Sequence, residues 1–584
     1  MSYRKNLLLY WMSLLLVNST VAAGGSTSVE SLAGLWKAER NFGPDVRGEL
    51  TVAKDDSAFY AAIAGFTVPV TTGGNRVHFS IPDDRGEFRG SFAPDEGGIE
   101  GHWIQPATKS GFVRYASPVT LRKIDATRWR GRVVPLSDIL TFFIKLSVSA
   151  DSTLTGFVQN PQANFGRFFP ISDATIDGDR VVFFSSASQD TSFVARLDTT
   201  DETMSVYWPS FGGTYDFHRV DSVEDCAFYP RPKSDSPYKY EPPAKENDGW
   251  EVASLQDVDM KVTPIEKLVQ TIIDTPMDSI TSLEIHALLI ARHGKLVVEE
   301  YFHGYSRTMP HDTRSASKSV TSTMIGTAIH NGEPVSLSMP VYETMYDGAL
   351  PSNIDPRKGR ITLRHLLTMS SGLACNDWDP DSPGNEDRMQ NQDKQPDWAQ
   401  YTLDLPVACD PGDSVWYCSG SPNLAAAVLS KATGEWLPDL FYRQLARPMQ
   451  IGLYHMNLTP TGAAYGGGGL HIQARDFLKF GQLFLNHGEW NGRRLLDDSW
   501  VRDAVSPLVE LGGEGYGYNW WVIDYPYRGA KVKAFYAGGN GGQYIIGVPD
   551  LDLLVTFFAG NYSQSVMHKT KREYVPQFIL KAIR

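Results

Sequence analysis

The sequence predicts an α+β protein in two parts: an all-β N-terminal region, then a domain of antiparallel sheet flanked by helices. Three observations predict it. Residues 30–222 are filled with short alternating runs separated by Gly, Asp and Pro. Residues 223–250 form a proline-rich polar stretch, a natural boundary. From residue 251 the texture changes to mixed helix and strand. A chain of 584 residues suits two or three domains at roughly 100–200 residues each.

The first element reads as a signal peptide, residues 1–23. Arg4 and Lys5 give a positive start, Leu7 to Val17 an apolar core, and Val21-Ala22-Ala23 small residues for cleavage. The apolar run is short of the about 20 residues a bilayer span needs, although an uncleaved anchor is the alternative. Export to the periplasm or the extracellular space is the expectation, with no transmembrane anchor left after cleavage.

Within 30–222, strands are expected at Gly48–Val52, Arg76–Ile81 and Gly86–Phe92. The region also repeats itself. Leu50-Thr51-Val52 matches Leu146-Ser147-Val148, Arg76-Val77-His78-Phe79 matches Arg180-Val181-Val182-Phe183, and His102-Trp103 falls where Tyr207-Trp208 does. The offset is roughly a hundred residues, which suggests two β-meanders, 30–125 and 126–222, in a barrel or a sandwich. Chance alternation in β-rich sequence is the competing explanation.

In the C-terminal part, Ala287–Ala291 and Lys295–Glu299 flank Arg292-His293-Gly294, a hairpin signature. Helical patterns then alternate with loops. The strands Gln543–Val548 and Leu553–Ala559 precede a helical tail through Phe578 and Ile579. The short Lys569–Arg572 cluster reads as a solvated helix face.

Ser-x-x-Lys occurs at Ser236–Lys239 and at Ser315–Lys318. The first lies in the proline-rich stretch, where no helix aligns the side chains. The second opens a run long enough for a buried helix, where residues three apart share a face. A serine hydroxyl needs an adjacent base, and Lys318 serves if desolvation and a nearby positive centre lower its pKa. A serine at a helix start also directs its own N–H at a developing oxyanion.

Longer stretches agree. Arg314–Ser319, Ile361–Leu373 (ITLRHLLTMSSGL), Pro411–Ser419 (PGDSVWYCS) and Gly466–Leu470 before Asp476 and Phe480–Leu483 resemble the serine β-lactamase and penicillin-binding-protein superfamily. The nearer likeness is to its class C β-lactamase-related group of esterases, peptidases and 6-aminohexanoate-dimer hydrolases. The resemblance covers residues 251–584 and implies a β-lactamase/transpeptidase-like fold. It implies Tyr417 as a proton shuttle held by Lys318, and Ser419 in place of the asparagine many β-lactamases use. The third family motif, Lys-Thr-Gly or His-x-Gly, aligns with Asn540-Gly541-Gly542, so the Gln543 N–H would be the second oxyanion donor. Asn540 stands where a cation is expected. A substrate carboxylate would lose a contact of roughly 1.5–3 kcal/mol, which turns the expectation from β-lactams towards uncharged esters or small amides.

Four cysteines are present: Cys226, Cys375, Cys409 and Cys418. They allow three full pairings. Cys375–Cys409 is favoured because it would staple the loop-rich stretch between two motifs; free thiols are the alternative. No zinc spacing occurs, and no metal or cofactor is implied. The net charge of −13 disfavours nucleic acid as a partner. His293, His303, His311 and His330 near Ser315 read as surface or core residues, because no Gly-x-Ser-x-Gly elbow supports a triad. Tyr516–Trp521 would line a pocket or fill a core. The reading is an exported serine hydrolase acting on small-molecule esters or amides. Its rivals are a penicillin-recognising DD-peptidase or β-lactamase, and a non-catalytic cell-envelope binding protein.

Overall fold

The computed structural model describes residues 28–584 apart from 56–57, 94–96, 186–190, 221–226, 233 and 392–395. The expected signal segment and Cys226 lie outside the described residues.

Strand β1 (Gly34–Asn41) passes the first barrel by. That barrel holds β2 (Gly48–Lys54), β3 (Phe59–Ile63), β4 (Phe66–Gly73), β5 (Arg76–Ile81), β6 (Gly86–Phe92), β7 (Ile99–Ile104), β8 (Arg114–Lys123) and β9 (Arg128–Val133). Each strand pairs with the next, and β9 pairs with both β8 and β2, closing the ring. Alternate side chains point inward, as β5 shows with Val77, Phe79 and Ile81 buried. Leu50, Phe79, Phe88 and Trp103 fill the interior, as expected for a barrel of this strand number.

The second sheet contains β10 (Ile139–Val148), β11 (Leu154–Gln159), β12 (Pro170–Ile171), β13 (Asp173–Asp177), β14 (Arg180–Phe184), β15 (Thr191–Asp198), β16 (Thr203–Trp208) and β17 (Gly213–Arg219). Its order is β12-β11-β10-β1-β17-β16-β15-β14-β13, and β13 lies against β11, so it too is barrel-like. Trp36, Phe142, Phe183, Trp208 and Tyr215 fill it. The positions matched in sequence start matched strands: Arg76 opens β5 and Arg180 opens β14. The border expected at 125/126 differs from the structure. Closing a barrel takes a strand that pairs with both ends of the meander; β9 from downstream does this for the first, and β1 from upstream for the second.

The proline-rich stretch is fastened rather than free. Arg231 donates to the Tyr301 carbonyl, Tyr240 Oη to the Val297 carbonyl at 2.8 Å, and buried Trp250 to the Arg475 carbonyl at 3.0 Å.

From Glu251 on, a nine-stranded sheet carries the C-terminal fold. The hairpin Ile285–Arg292 and Lys295–Tyr301 turns through His293 and Gly294, both at positive φ, as a tight two-residue turn requires. Leu289 faces one core, and Leu288 and Ile290 the other. The helices Ser317–His330, Gly420–Thr433 and Ala474–Leu485 cover the first face; Val262–Ile273 and the C-terminal helix from Thr570 cover the second. The solvated face expected at Lys569–Arg572 is corrected at one residue. Lys571 is buried over the Tyr536 ring at 3.9 Å and paired with Glu514 at 3.1 Å.

The first barrel is joined to this fold by a sheet. Tyr115 and Ala116 of β8 pair with Asn457 and Met456 of the strand Tyr454–Leu458, which continues through His471–Ile472 to His311–Asp312. Buried His102 bridges the joint, 2.9 Å from Asp439 and 2.8 Å from Tyr454 Oη. The shared sheet thus ends three residues before Ser315.

Candidate active site

Thr313 to Ala316 form a tight turn that runs into the helix Ser317–His330. Thr313 is pinned to the Leu470 carbonyl through its N–H (3.0 Å) and its hydroxyl (2.8 Å). Arg314 takes a positive φ of 47°, capped by its N–H to Asp312 at 2.8 Å. This sets Ser315 at the start of a helix that is buried nearly throughout. Lys318 is 2% exposed. Its Nζ donates to Ser315 Oγ at 2.8 Å and to the Gly467 carbonyl at 2.6 Å.

Tyr417 completes the group, its ring centre 5.0 Å from Lys318 Nζ. It is sandwiched between Trp378 at 5.5 Å and Trp521 at 5.9 Å. Trp521 therefore lines the site, whereas its neighbour Trp520 is core. Burial pulls the Lys318 pKa down, but the charges of Tyr417, Glu386 and Asp377 outweigh it, and the net direction is up. The expected downward shift of Lys318 is reversed: among the described residues no nearby cation adds to burial, and Tyr417, Glu386 and Asp377 raise it instead.

Asp377 and Glu386 were missed in the sequence. Asp377 Oδ2 accepts both the N–H and the hydroxyl of Ser419 at 2.7 Å, and Oδ1 accepts the Glu386 N–H at 3.0 Å. Its own N–H donates to the Tyr417 carbonyl at 2.7 Å. Burial first, then the charge of Glu386, pushes Asp377 up to about 6; Lys318 and the Ser419 hydrogen bonds pull the other way. Ser419 is fully buried with its hydroxyl proton committed to Asp377, so it is a brace for the Tyr417 turn.

The disulfide joins Cys375 to Cys418, not to Cys409. Cys409 is a free, half-buried thiol. The favoured pairing failed because linear order does not show that the Asp377 and Tyr417 segments run side by side. Closing this loop of 43 residues stabilises by on the order of 4 kcal/mol in the chain-entropy model. The bond itself was the available signal: pairing Cys375 with Cys418 brings Asp377 to Ser419.

The glycine stretch meets the nucleophile earlier than aligned. A Cβ on Gly539 would stand 2.3 Å from the Thr313 carbonyl and 3.1 Å from the Ala316 nitrogen. Gly541 and Gly542, at φ 96° and 104°, instead form the turn against Tyr562 and Ala559. Gln543 lies in the ladder opposite Gly539, and its amide donates to the Ala559 carbonyl at 2.6 Å. The Asn540 side chain is held by Ser563, whose N–H it accepts at 2.6 Å. Of this stretch it is thus Gly539, with Gln543 across the ladder from it, that packs against the Ser315 turn.

His286 and His311 form a buried pair at 2.8 Å behind the turn, with Glu284 3.2 Å from His286. His303 is buried too, while His293 and His330 are paired with Asp552 and Asp497. Among the described residues, no group of three or more His, Cys, Asp or Glu side chains is placed to hold a metal ion, and no helix is long and apolar enough to cross a membrane.

A family model described as Beta-lactamase matches residues 285–574. A 6-aminohexanoate-dimer hydrolase of Paenarthrobacter ureafaciens is 24% identical over 240 residues, which are 38% of this chain and 57% of that protein. The match therefore spans little more than half of that relative. Among solved structures, EstCE1, a hydrolase with promiscuous acyltransferase activity, shares 16% identity over 55% of this chain and 97% of its own, with a TM-score of 0.41. A penicillin-binding protein homolog from Caulobacter crescentus shares 12% over 52% and 95%, with a TM-score of 0.41. Residues 285–574 thus form a domain of the beta-lactamase family.

Proposed function

We propose that this protein is an exported hydrolase of carboxylic esters or small amides that works through an acyl-enzyme on Ser315. The observation that carries this reading is Lys318 Nζ, 2.8 Å from Ser315 Oγ on a buried helix turn, with Tyr417 beside it. Ser315 Oγ attacks the substrate carbonyl while its proton passes to the Tyr417 oxygen. Tyr417 takes this proton in its phenolate form, whose charge the Lys318 ammonium stabilises before the transfer, and it is neutral afterwards; Lys318 is kept cationic by Tyr417, Glu386 and Asp377. The carbonyl oxygen takes up negative charge facing the N–H group of Ser315. When the tetrahedral centre collapses, Tyr417 returns the proton to the departing alcohol or amine. Water then attacks the acyl group by the same route in reverse, releasing the acid and Ser315.

Export is supported by the leader-like residues 1–23 and by the Cys375–Cys418 bond, which suits an oxidising compartment. The test is covalent labelling with a fluorophosphonate together with turnover of p-nitrophenyl esters. Ser315→Ala is expected to lose both; a variant that keeps full turnover overturns the reading.

A further inference from the structure

The two N-terminal barrels hold no catalytic motif, yet the second one reaches the active site. The loop between β11 and β12 is folded on itself, with Asn160 donating to the Thr141 carbonyl at 2.8 Å and accepting the Ala163 N–H at 3.0 Å. From it, Asn164 and Arg167 both donate to the Tyr562 carbonyl, at 3.3 and 3.2 Å. Tyr562 belongs to the site: the Arg314 guanidinium lies over its ring at 4.8 Å, and its neighbour Ser563 holds Asn540.

Arg167 is an exposed side chain anchored at one end. Its charge is in range of Arg314, next to the nucleophile, and of Asp387 on the helix Glu386–Gln390. No carboxylate stands within ion-pair distance of Arg167 among the described residues. Arg314 has one, Asp312, at 2.9 Å. Two guanidinium groups thus converge on Tyr562, Arg314 being the residue before Ser315, with one acidic partner in contact. Two large apolar side chains stand exposed: Phe168 under the Arg167 guanidinium, and Trp378 stacked on Tyr417 beside Lys318. A surface that is apolar near the reacting serine and cationic beyond it matches an acyl chain ending in an anion.

We propose that Arg167, carried by the second barrel, forms with Arg314 a carboxylate-binding subsite of the Ser315 cleft, so that the preferred substrates are esters or amides bearing a carboxylate away from the scissile bond. The inference rests on the acyl-enzyme reading above. It supplies from another domain the cation that Asn540 fails to provide, and replaces the expectation of uncharged substrates. A guanidinium suits this task because it binds a carboxylate through two parallel hydrogen bonds.

The experiment compares kcat/KM for mono-p-nitrophenyl glutarate with that for p-nitrophenyl butyrate. The glutarate-to-butyrate ratio is expected to fall at least tenfold in Arg167→Gln, to be largely kept in Arg167→Lys, and to shrink in the wild type as salt is raised. A ratio within twofold of wild type in Arg167→Gln overturns the subsite. An equal loss on both esters does so too, since it would mean that Arg167 only props the Tyr562 loop. A second measurement needs no turnover: free glutarate is expected to slow fluorophosphonate labelling of Ser315 in the wild type and not in Arg167→Gln. Labelling that glutarate never slows overturns the subsite and leaves the serine hydrolase standing; absence of labelling overturns both.

Discussion

At the scale of single residues, Asp377 separates stability from activity. Its folded pKa of about 6 is above the 3.8 of an unperturbed Asp. The folded state therefore binds this proton more tightly, and the stability it contributes is present at low pH and lost as pH rises through 6. Above that pH the ionised, part-buried carboxylate is a cost that the protein carries while it holds Lys318 charged and the Tyr417 turn in place. Asp377→Asn is expected to melt no lower than wild type at pH 8, yet to turn over esters at least tenfold more slowly. It is also expected to lose the acid limb near pH 6 that the wild type shows; a pH–rate profile and a thermal melt check both. That Ser315, Lys318 and Tyr417 come together was legible in the sequence because each sits in a motif whose spacing is local. Asp377 was not, because its partner Ser419 is 42 residues away and only a three-dimensional crossing joins them. The direction of the Lys318 shift was hidden in part for the same reason, since Glu386 and Asp377 add to the upward pull of Tyr417.

At the scale of elements, the approach of the strand Ala530–Gly539 to the Ser315 turn fixes the oxyanion site. Gly539→Ala puts a methyl group on the Thr313 carbonyl, at 2.3 Å by the present backbone, and neither backbone can yield cheaply. A fall of at least tenfold in kcat is expected. Asn540→Ala keeps the backbone N–H and removes only the contact to Ser563, so a loss under fivefold is expected; steady-state kinetics distinguish the two. The glycine-rich composition of this stretch announced a close approach. Which glycine makes it was not readable, because a run of four glycines in five positions hardly pins a register. The hairpin was readable from Gly294 between two apolar runs, but Arg292, expected in the turn, closes the strand opposite Lys295, and the turn is His293-Gly294.

At the scale of the molecule, the β8 pairing makes the barrels part of the hydrolase rather than an appendage. A chain beginning at residue 251 would leave the strand Tyr454–Leu458 with an open edge and His455 without Ser117, its partner at 2.7 Å. Such a chain is expected to aggregate under conditions where the full chain is monodisperse in light scattering. The all-β character and the matched strands of the repeat were legible in composition and alternation. The exchange of closing strands was not, because β1 and β9 lie outside the matched segments. That exchange also imposes an order of events as the chain is made. The first barrel has all eight of its strands once Val133 has emerged and closes on local contacts. Strand β1, made before any of them, has no partner until β10 appears at Ile139, and its second, β17, ends at Arg219. For the synthesis of well over a hundred residues the earliest strand is therefore an open template, Trp36 uncovered, and the second barrel cannot close before its own beginning is retrieved from the far side of the first.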